Sequence, residues 1–469
     1  RIEAGAFTIT SVKRGERRKH PAPPFTTSNL QQEASRKLGF STQKTMQIAQ
    51  QLYEGVDVQG RGTLGLISYI RTDSVRISDE ALQAVREYIP NRFGPEFLPE
   101  KPNEFKGRRN AQDAHEAIRP TDVNRTPESI KSSLTKEQFQ LYRLIYSRFI
   151  ASQMKPALYN TLSMDVEGGG VGLRFYGEHK QFAGFTSVYE ESTDEASEAL
   201  ESTLPNFNVG DPVVIESVSS DQHFTQPPPR FTEGSLVRTL EEKGIGRPST
   251  YAPTVTTIIA RGYVMRENKR LYPTELGKMI NAMMIEHFGE IVDVDFTAQL
   301  EDELDQVEEG SMEWKNVLRK FYPPFEDMLE KAEDAIEKVE IKDEPSDEIC
   351  DKCGARMVYR MGRFGKFLAC PNFPDCRNTK PILNYISAPC PKCGGKLLEK
   401  TSRKNRKFYG CEHYPDCDFV SWEMPVKEKC EKCGSYMTLK TSRSGAAFHL
   451  CSNETCRHKV EVTQEKTEE

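Results

Sequence analysis

The stretch Gly65-Leu66-Ile67-Ser68-Tyr69-Ile70-Arg71-Thr72-Asp73-Ser74 decides how this chain reads. Residues 63–70 are rich in apolar types and predict a buried strand. Tyr69 and Arg71 are two residues apart, so they share one side of an extended chain. A tyrosine hydroxyl can attack a phosphodiester phosphorus and keep the broken backbone as a phosphotyrosine ester. That step needs a cation near the charge growing on the phosphoryl oxygens, which Arg71 could supply. Most tyrosines followed by an arginine are structural, however, and the chain has 17 tyrosines. Alone, the pattern leaves both readings open.

Working outward, Ser28 with Gln31 resembles a capping box opening a helix. That helix would carry Leu30, Ala34 and Leu38 on one face and stop at Gly39. A second helix is expected over 42–53, a third from Ser78-Asp79-Glu80 with acids in its first turn, and more helix over 128–154. Residues 157–222 switch to short alternating strands over 162–166, 171–176 and 213–218. Pro227-Pro228-Pro229 marks a boundary. Beyond it, two helices flank Gly244-Ile245-Gly246-Arg247-Pro248, followed by a turn and strand near Gly262-Tyr263-Val264. A charged helix over 326–342 leads into a linker.

The chain has 469 residues, 37% hydrophobic and 29% charged, which suits several soluble domains. No apolar run approaches the roughly 18–20 residues that span a bilayer, so no membrane association is expected. The start, Arg1-Ile2-Glu3-Ala4-Gly5, has neither an initiator Met nor a signal-peptide pattern, and predicts a fragment whose natural N-terminus lies upstream. The net charge of −6 hides an asymmetry. Residues 301–348 hold 6 Lys/Arg against 18 Asp/Glu, whereas 350–460 hold 21 against 10. A basic tail after an acidic stretch points to a polyanionic partner for the tail.

All 12 cysteines fall after residue 349. The pair Cys350 and Cys353 recurs as Cys390 and Cys393, then as Cys430 and Cys433, a period of 40 residues. The completing pairs are Cys370 and Cys376, Cys411 and Cys417, Cys451 and Cys456. Such regularity means three copies of one small unit. Four thiolates with a C-x-x-C knuckle fit a closed tetrahedral Zn²⁺ site, and metal would supply much of the folding energy of units this small. Between the pairs lie Arg363, Phe364, Lys366 and Phe367, then Arg406, Lys407, Phe408 and Tyr409, then Arg443 and Phe448. Cations can track phosphates while exposed rings stack on unpaired bases. The same rings could instead fill each unit's small core.

The Tyr69 stretch resembles the active-site signature of the type IA DNA topoisomerases, a Tyr-(Met or Ile)-Arg-Thr-Asp-Ser run. Further segments resemble that family in its own order: Pro24-Phe25-Thr26-Thr27-Ser28 through Ala34, and Asp113-Ala114-His115-Glu116-Ala117-Ile118-Arg119-Pro120-Thr121. Then come Phe231 to Ser235, Gly246-Arg247-Pro248-Ser249-Thr250-Tyr251-Ala252 and Phe296 to Glu301. With the cysteine repeats, the resemblance covers essentially the whole chain and points to the bacterial topoisomerase I branch rather than topoisomerase III. It implies Tyr69 as nucleophile, Arg71 steadying the scissile phosphate, and His115, Arg119, Arg247, Ser249 and Thr250 as DNA contacts. The helix N-terminus behind Arg247 can serve as an anion site, or the loop can be a plain helix-turn-helix packing loop with a Gly stop. The family's Toprim domain, whose acids bind Mg²⁺, has no counterpart here. Glu290, Asp293 and Asp295 have superficially similar spacing but read as structural.

The expected fold is multidomain α+β, a type IA gate arch with a helical tyrosine domain followed by three tandem zinc ribbons. Its parts are a β-rich gate arch (1–27 and 157–229), a tyrosine domain (28–156), a partial DNA-groove domain (230–325), a charged helix and linker (326–348), and ribbons at 349–386, 387–426 and 427–463. The implied function is ATP-independent relaxation of negatively supercoiled DNA, incomplete in this chain alone. The competing reading is a non-enzymatic single-strand-binding ribbon protein. Three Zn²⁺, Mg²⁺ in the missing domain, single-stranded or underwound DNA, a monomeric state and a place in the bacterial cytoplasm at the nucleoid complete the expectation. RNA polymerase is an open candidate partner.

Overall fold

The computed structural model describes residues 2, 6–107, 115–191, 204–220, 222, 224–225, 227–336, 344–362, 365–401, 407–441 and 447–461. It forms two compact units, Arg1–Glu337 and Lys338–Glu469.

The first unit opens with strand β1 (Phe7–Lys19) and helix α1 (Thr27–Glu33), which passes into a π-helical turn over Ala34–Leu38. Leu30 and Ala34 are fully buried, Leu38 is partly so, and Gly39 ends the segment at φ +67°, a left-handed stop that suits glycine. The cap differs from the expected box. Thr26, extended at φ −86° and ψ 170°, accepts the Asn29 N–H, while Ser28 lies inside the helix. Gln31 is fully buried and its amide has no hydrogen-bond partner, so it closes no box.

Helix α2 (Thr42–Glu54) follows, capped by Ser41, then a two-strand ladder of β2 (Val56–Val58) and β3 (Gly62–Leu64). Helix α3 (Asp79–Phe93) is capped by Ser78, and α4 (Lys136–Ser152) by a Thr135–Gln138 capping box. Their apolar faces make one core with α1 and α2, centred on Leu30, Leu52, Val85, Ile89, Leu141, Ile145 and Phe149. The strand expected over 63–70 stops at Leu64. Leu66, Ile67 and Ile70 are buried as predicted. The chain there is instead held by an isolated bridge from Ile67 to Pro120, and a proline, lacking an N–H, cannot extend a ladder.

Strands β4 (Ala157–Gly168), β5 (Val171–Phe182) and β6 (Pro212–Val213) join β1 in an antiparallel sheet of order β5-β4-β1-β6. Residues 20–156 thus leave and return between two neighbouring strands of one sheet. The strand expected over 213–218 is reduced to Pro212–Val213, and Val214 is 83% exposed.

The remainder of this unit is helical: α5 (Glu233–Glu242), α6 (Tyr251–Ala260), the hairpin β7 (Val264–Glu267) and β8 (Arg270–Pro273), α7 (Glu275–Phe288), α8 (Val294–Glu308) and α9 (Trp314–Ala335). Helix α9 starts twelve residues before the expected charged helix, so the boundary drawn at 325/326 falls inside it. Its register is fixed by Phe321 and Phe325, stacked on each other with Phe296 of α8 alongside. The α5 segment is tied to the tyrosine region by Glu233. This buried carboxylate accepts the Thr42 N–H (2.8 Å) and hydroxyl (3.0 Å) and pairs with Arg266 (2.7 Å).

In the second unit, three four-stranded antiparallel meanders follow one another, built from residues 344–381, 384–421 and 424–461. The second and third share packing, with Phe419 edge-on to Tyr436 at 5.4 Å.

Candidate active site and metal centres

The Tyr69 segment is fixed from both sides by backbone hydrogen bonds. Leu66 N–H donates to Leu52 O at 2.7 Å, and a Cβ on Gly65 would come within 2.8 Å of Tyr53 O, so glycine is required there. Ser68 N–H donates to Arg119 O, Ser68 Oγ donates to Ala117 O, and Thr121 N–H donates to Leu66 O. Downstream, the Thr27 hydroxyl donates to Ile70 O at 2.7 Å and accepts the Thr72 N–H at 2.9 Å. Between these anchors Tyr69 is 37% exposed, flanked by buried Ile67 and Ile70. Its ring lies 5.0 Å from that of His115 and takes the Tyr53 ring edge-on at 5.6 Å.

Tyr69, Arg71, Asp73 and His115 line one wall of a cleft of about 370 Å³, and Arg247, Pro248, Ser249 and the α8 residues Glu301, Asp305 and Glu308 line the other. Arg71 is exposed and, among the described residues, has no ion-pair partner. Arg247 is already matched: its guanidinium pairs with Asp305 at 2.7 Å and Glu301 at 3.5 Å. Burial opposes its charge, but these carboxylates hold its pKa above the ordinary arginine value. Thr250 is the α6 N-cap residue, and its hydroxyl both accepts the Arg247 N–H and donates to Arg247 O. The cleft therefore unites five of the sequence-derived residues: Tyr69, Arg71, His115, Arg247 and Ser249. Arg119 does not line it. That side chain pairs with Glu116 at 2.8 Å and donates to Ser78 Oγ and Pro120 O. Asp113 lies outside the described residues.

The cysteines converge as their spacing predicted. In each repeat four Sγ atoms lie within 4.8 Å of one another. Cys350 and Cys376 are 3.7 Å apart, Cys353 and Cys370 3.3 Å, with matching pairs at 3.7 and 3.3 Å in the second repeat and 3.8 and 3.4 Å in the third. Tetrahedral coordination at a Zn–S bond of about 2.3 Å puts sulfurs about 3.8 Å apart, and a disulfide would need about 2.05 Å. Burial pushes the Cys370, Cys411 and Cys451 thiols up to about 12 without a cation; a coordinated Zn²⁺ holds such thiols as thiolates.

Residues 1–319 match the DNA topoisomerase family. The chain belongs to that family. Residues 347–385, 388–426 and 427–465 each match the topoisomerase DNA-binding C4 zinc finger. The structure is similar to that of full-length topoisomerase I from Thermotoga maritima, with a TM-score of 0.64 and 38% identity over 81% of this chain. The match covers 61% of that protein, so this chain spans less than two thirds of its relative. Together these findings place the chain with the bacterial type IA topoisomerases I, a mixed α/β architecture ending in three C4 zinc ribbons.

Within this topoisomerase chain the ribbon rings named above follow the core-filling alternative. Tyr409 is buried, and Phe367, Phe408 and Phe448 are half-buried, so these mainly fill ribbon cores. Arg363, Phe364, Arg406 and Arg443 lie outside the described residues, as does the side chain of Lys366. The open rings are Phe373 (58% exposed) and Tyr414 (67%), with Trp422 and Tyr385 about half exposed. A signal was present: Phe373-Pro374-Asp375-Cys376 recurs as Tyr414-Pro415-Asp416-Cys417.

Proposed function

We propose that this chain carries the strand-cutting and DNA-holding parts of a type IA topoisomerase that relaxes negatively supercoiled DNA without ATP. The Tyr69 oxygen attacks a backbone phosphorus, the 3′ hydroxyl leaves, and the 5′ phosphate stays on the tyrosine. The ester retains the energy of the broken bond, so resealing is the reverse attack and needs no nucleotide. Arg71 neutralises charge growing on the phosphoryl oxygens, and His115 holds the tyrosine ring in place. The observation that carries this reading is the exposure of Tyr69, between buried Ile67 and Ile70 in a hydrogen-bonded segment, on a cleft it shares with Arg71, which has no ion-pair partner among the described residues.

Among the described residues, the groups that fit a metal are the three cysteine clusters. They suit structural Zn²⁺, which closes each ribbon and leaves no open coordination position. Asp293, in the acid spacing that superficially resembles a Mg²⁺ site, does not suit that ion, because it accepts the Asp295 and Phe296 N–H groups as the cap of α8. Magnesium and the acid–base groups are assigned to a Toprim domain outside this chain. The four-stranded sheet β5-β4-β1-β6 is assigned to the gate arch, residues 28–156 to the tyrosine domain and the α5–α8 region to the DNA groove.

Open rings on basic ribbons suit unpaired bases and phosphates, which supports a preference for single-stranded or underwound DNA. No helix among the described residues is long and apolar enough to cross a membrane. A monomer acting at the bacterial nucleoid accords with this reading, with RNA polymerase as a candidate partner. The test is plasmid relaxation with Mg²⁺. The chain alone is expected to leave supercoils intact, and the chain joined to a Toprim-bearing upstream region to remove them unless Tyr69→Phe is present. Efficient relaxation by the isolated chain would refute this division of labour.

A further inference from the structure

One side of the first unit's sheet is covered by the helical core only at Ala157 and Tyr159; the rest of it is open, and the cleavage mechanism gives that part no role. The register settles which residues share it. Lys13 stands opposite Ser163, which stands opposite Tyr176; Gly15 opposite Thr161 and Glu178; Arg17 opposite Tyr159 and Lys180; Ser11 opposite Asp165 and Arg174. Alternation sends Ile9, Val12, Leu162, Met164 and Val166 to the other side, where they form the sheet's core.

The middle of this open face is low, because Gly15, Thr161 and Ser163 are small. It is bordered by Lys13 and Arg17 on β1 and by Arg174 and Tyr176 on β5. Tyr176 is 58% exposed, and Lys13 is exposed with no carboxylate partner among the described residues. Arg17 pairs with Glu178 at 2.8 Å and Arg174 with Asp165 at 2.7 Å. Both are surface pairs, weak and screened by salt, so a phosphate can compete for either arginine. Lys19 and Lys180 both reach Glu190. The exposed Glu167, two residues beyond Asp165, shares the face, so among the described residues five cations stand against four carboxylates and the face keeps a small net positive charge.

We propose that this face is a second nucleic-acid contact, separate from the Tyr69 cleft and the ribbons, which holds one strand of DNA. Phosphates run along Lys13 and Arg174, and an unpaired base stacks on Tyr176. A trough of small residues between cations, with one open ring, suits a single strand, because base stacking is sequence-tolerant and a duplex would not fit a ring between its paired bases. The inference rests on the reading of the chain as a DNA enzyme and adds a site to it.

The test uses the whole chain and a 20-nucleotide single strand carrying 5-iodouridine, with photo-crosslinking and mapping of the adduct by mass spectrometry. The expected adduct lies on Tyr176, falls at least fivefold with Tyr176→Ala and is retained with Tyr176→Phe. In parallel, Lys13→Ala with Arg174→Ala is expected to lower the slope of log affinity against log salt by about 1.4, at about 0.7 per phosphate contact on single strands. Adducts confined to residues 344–461, or an unchanged slope, would overturn the inference while leaving the enzyme reading intact. Failure of the chain to bind the strand anywhere would overturn both.

Discussion

The imidazole of His115 lies over the phenol of Tyr69, ring centroids 5.0 Å apart and planes inclined by 33°. The two residues are 46 positions apart, and their segments meet because Ser68 and Arg119 exchange hydrogen bonds. The histidine is therefore placed to limit where the nucleophile's ring can go.

Replacing His115 with alanine removes that limit. Aromatic pairs contribute about 0.5–1.5 kcal/mol beyond area burial, so a single-turnover cleavage assay on the chain joined to a Toprim-bearing upstream region should show a loss of roughly two- to tenfold. The thermal midpoint should fall by no more than a few degrees, as about 1 kcal/mol implies. An unchanged cleavage rate would mean that the stacking does not position the tyrosine.

Glu233 is the buried link between α5 and the N-terminus of α2. Glu233→Ala leaves the Thr42 N–H and hydroxyl without their acceptor, at about 1–3 kcal/mol for a buried group left unsatisfied. A lower urea midpoint for the first unit is expected. Glu233→Gln, which keeps an acceptor oxygen, should lose less.

The Glu116 carboxyl sets a pH dependence. Burial works to raise its pKa, but the Arg119 hydrogen bond and charge, with the Ser78 N–H, win and hold it below the ordinary glutamate value. A depressed folded pKa contributes stability above the unfolded value of about 4.3, lost as pH falls through the folded value. Melting followed from pH 6 down to pH 2 should therefore show a decline below about 4.3 that Glu116→Gln flattens.

Zinc should hold the ribbons and nothing else. Chelation is expected to release three ions per chain, to abolish the β-sheet signal of residues 344–461 and to spare the helices of the first unit. Cys411→Ser should cut the stoichiometry to two. Loss of the helical signal along with zinc would contradict the separation of the units.

What the sequence disclosed was mostly local. The cysteine quartets were legible because the ligands repeat at fixed short spacings, and the caps at Ser78 and Gly39 because a cap is set by its immediate neighbours. The cap at Thr26 was misplaced by two residues, since both Thr26 and Ser28 offer a hydroxyl and only tertiary bonds from Thr27 to Ile70 and Thr72 select the start. The partners of Arg247 lie 54 and 58 positions away on α8, beyond any periodicity. Which ribbon rings stay open was likewise decided by sheet packing, which buries Tyr409 and leaves Tyr414 outside.

The central claim is that Tyr69 forms the covalent bond to DNA. The direct measurement joins the chain to a Toprim-bearing upstream region and incubates it with a 3′-labelled single strand and Mg²⁺ before a denaturing stop. A labelled protein adduct that maps to the peptide containing Tyr69 and vanishes in Tyr69→Phe is the predicted result. An adduct that survives that substitution, or none at all while the strand remains bound, would contradict it.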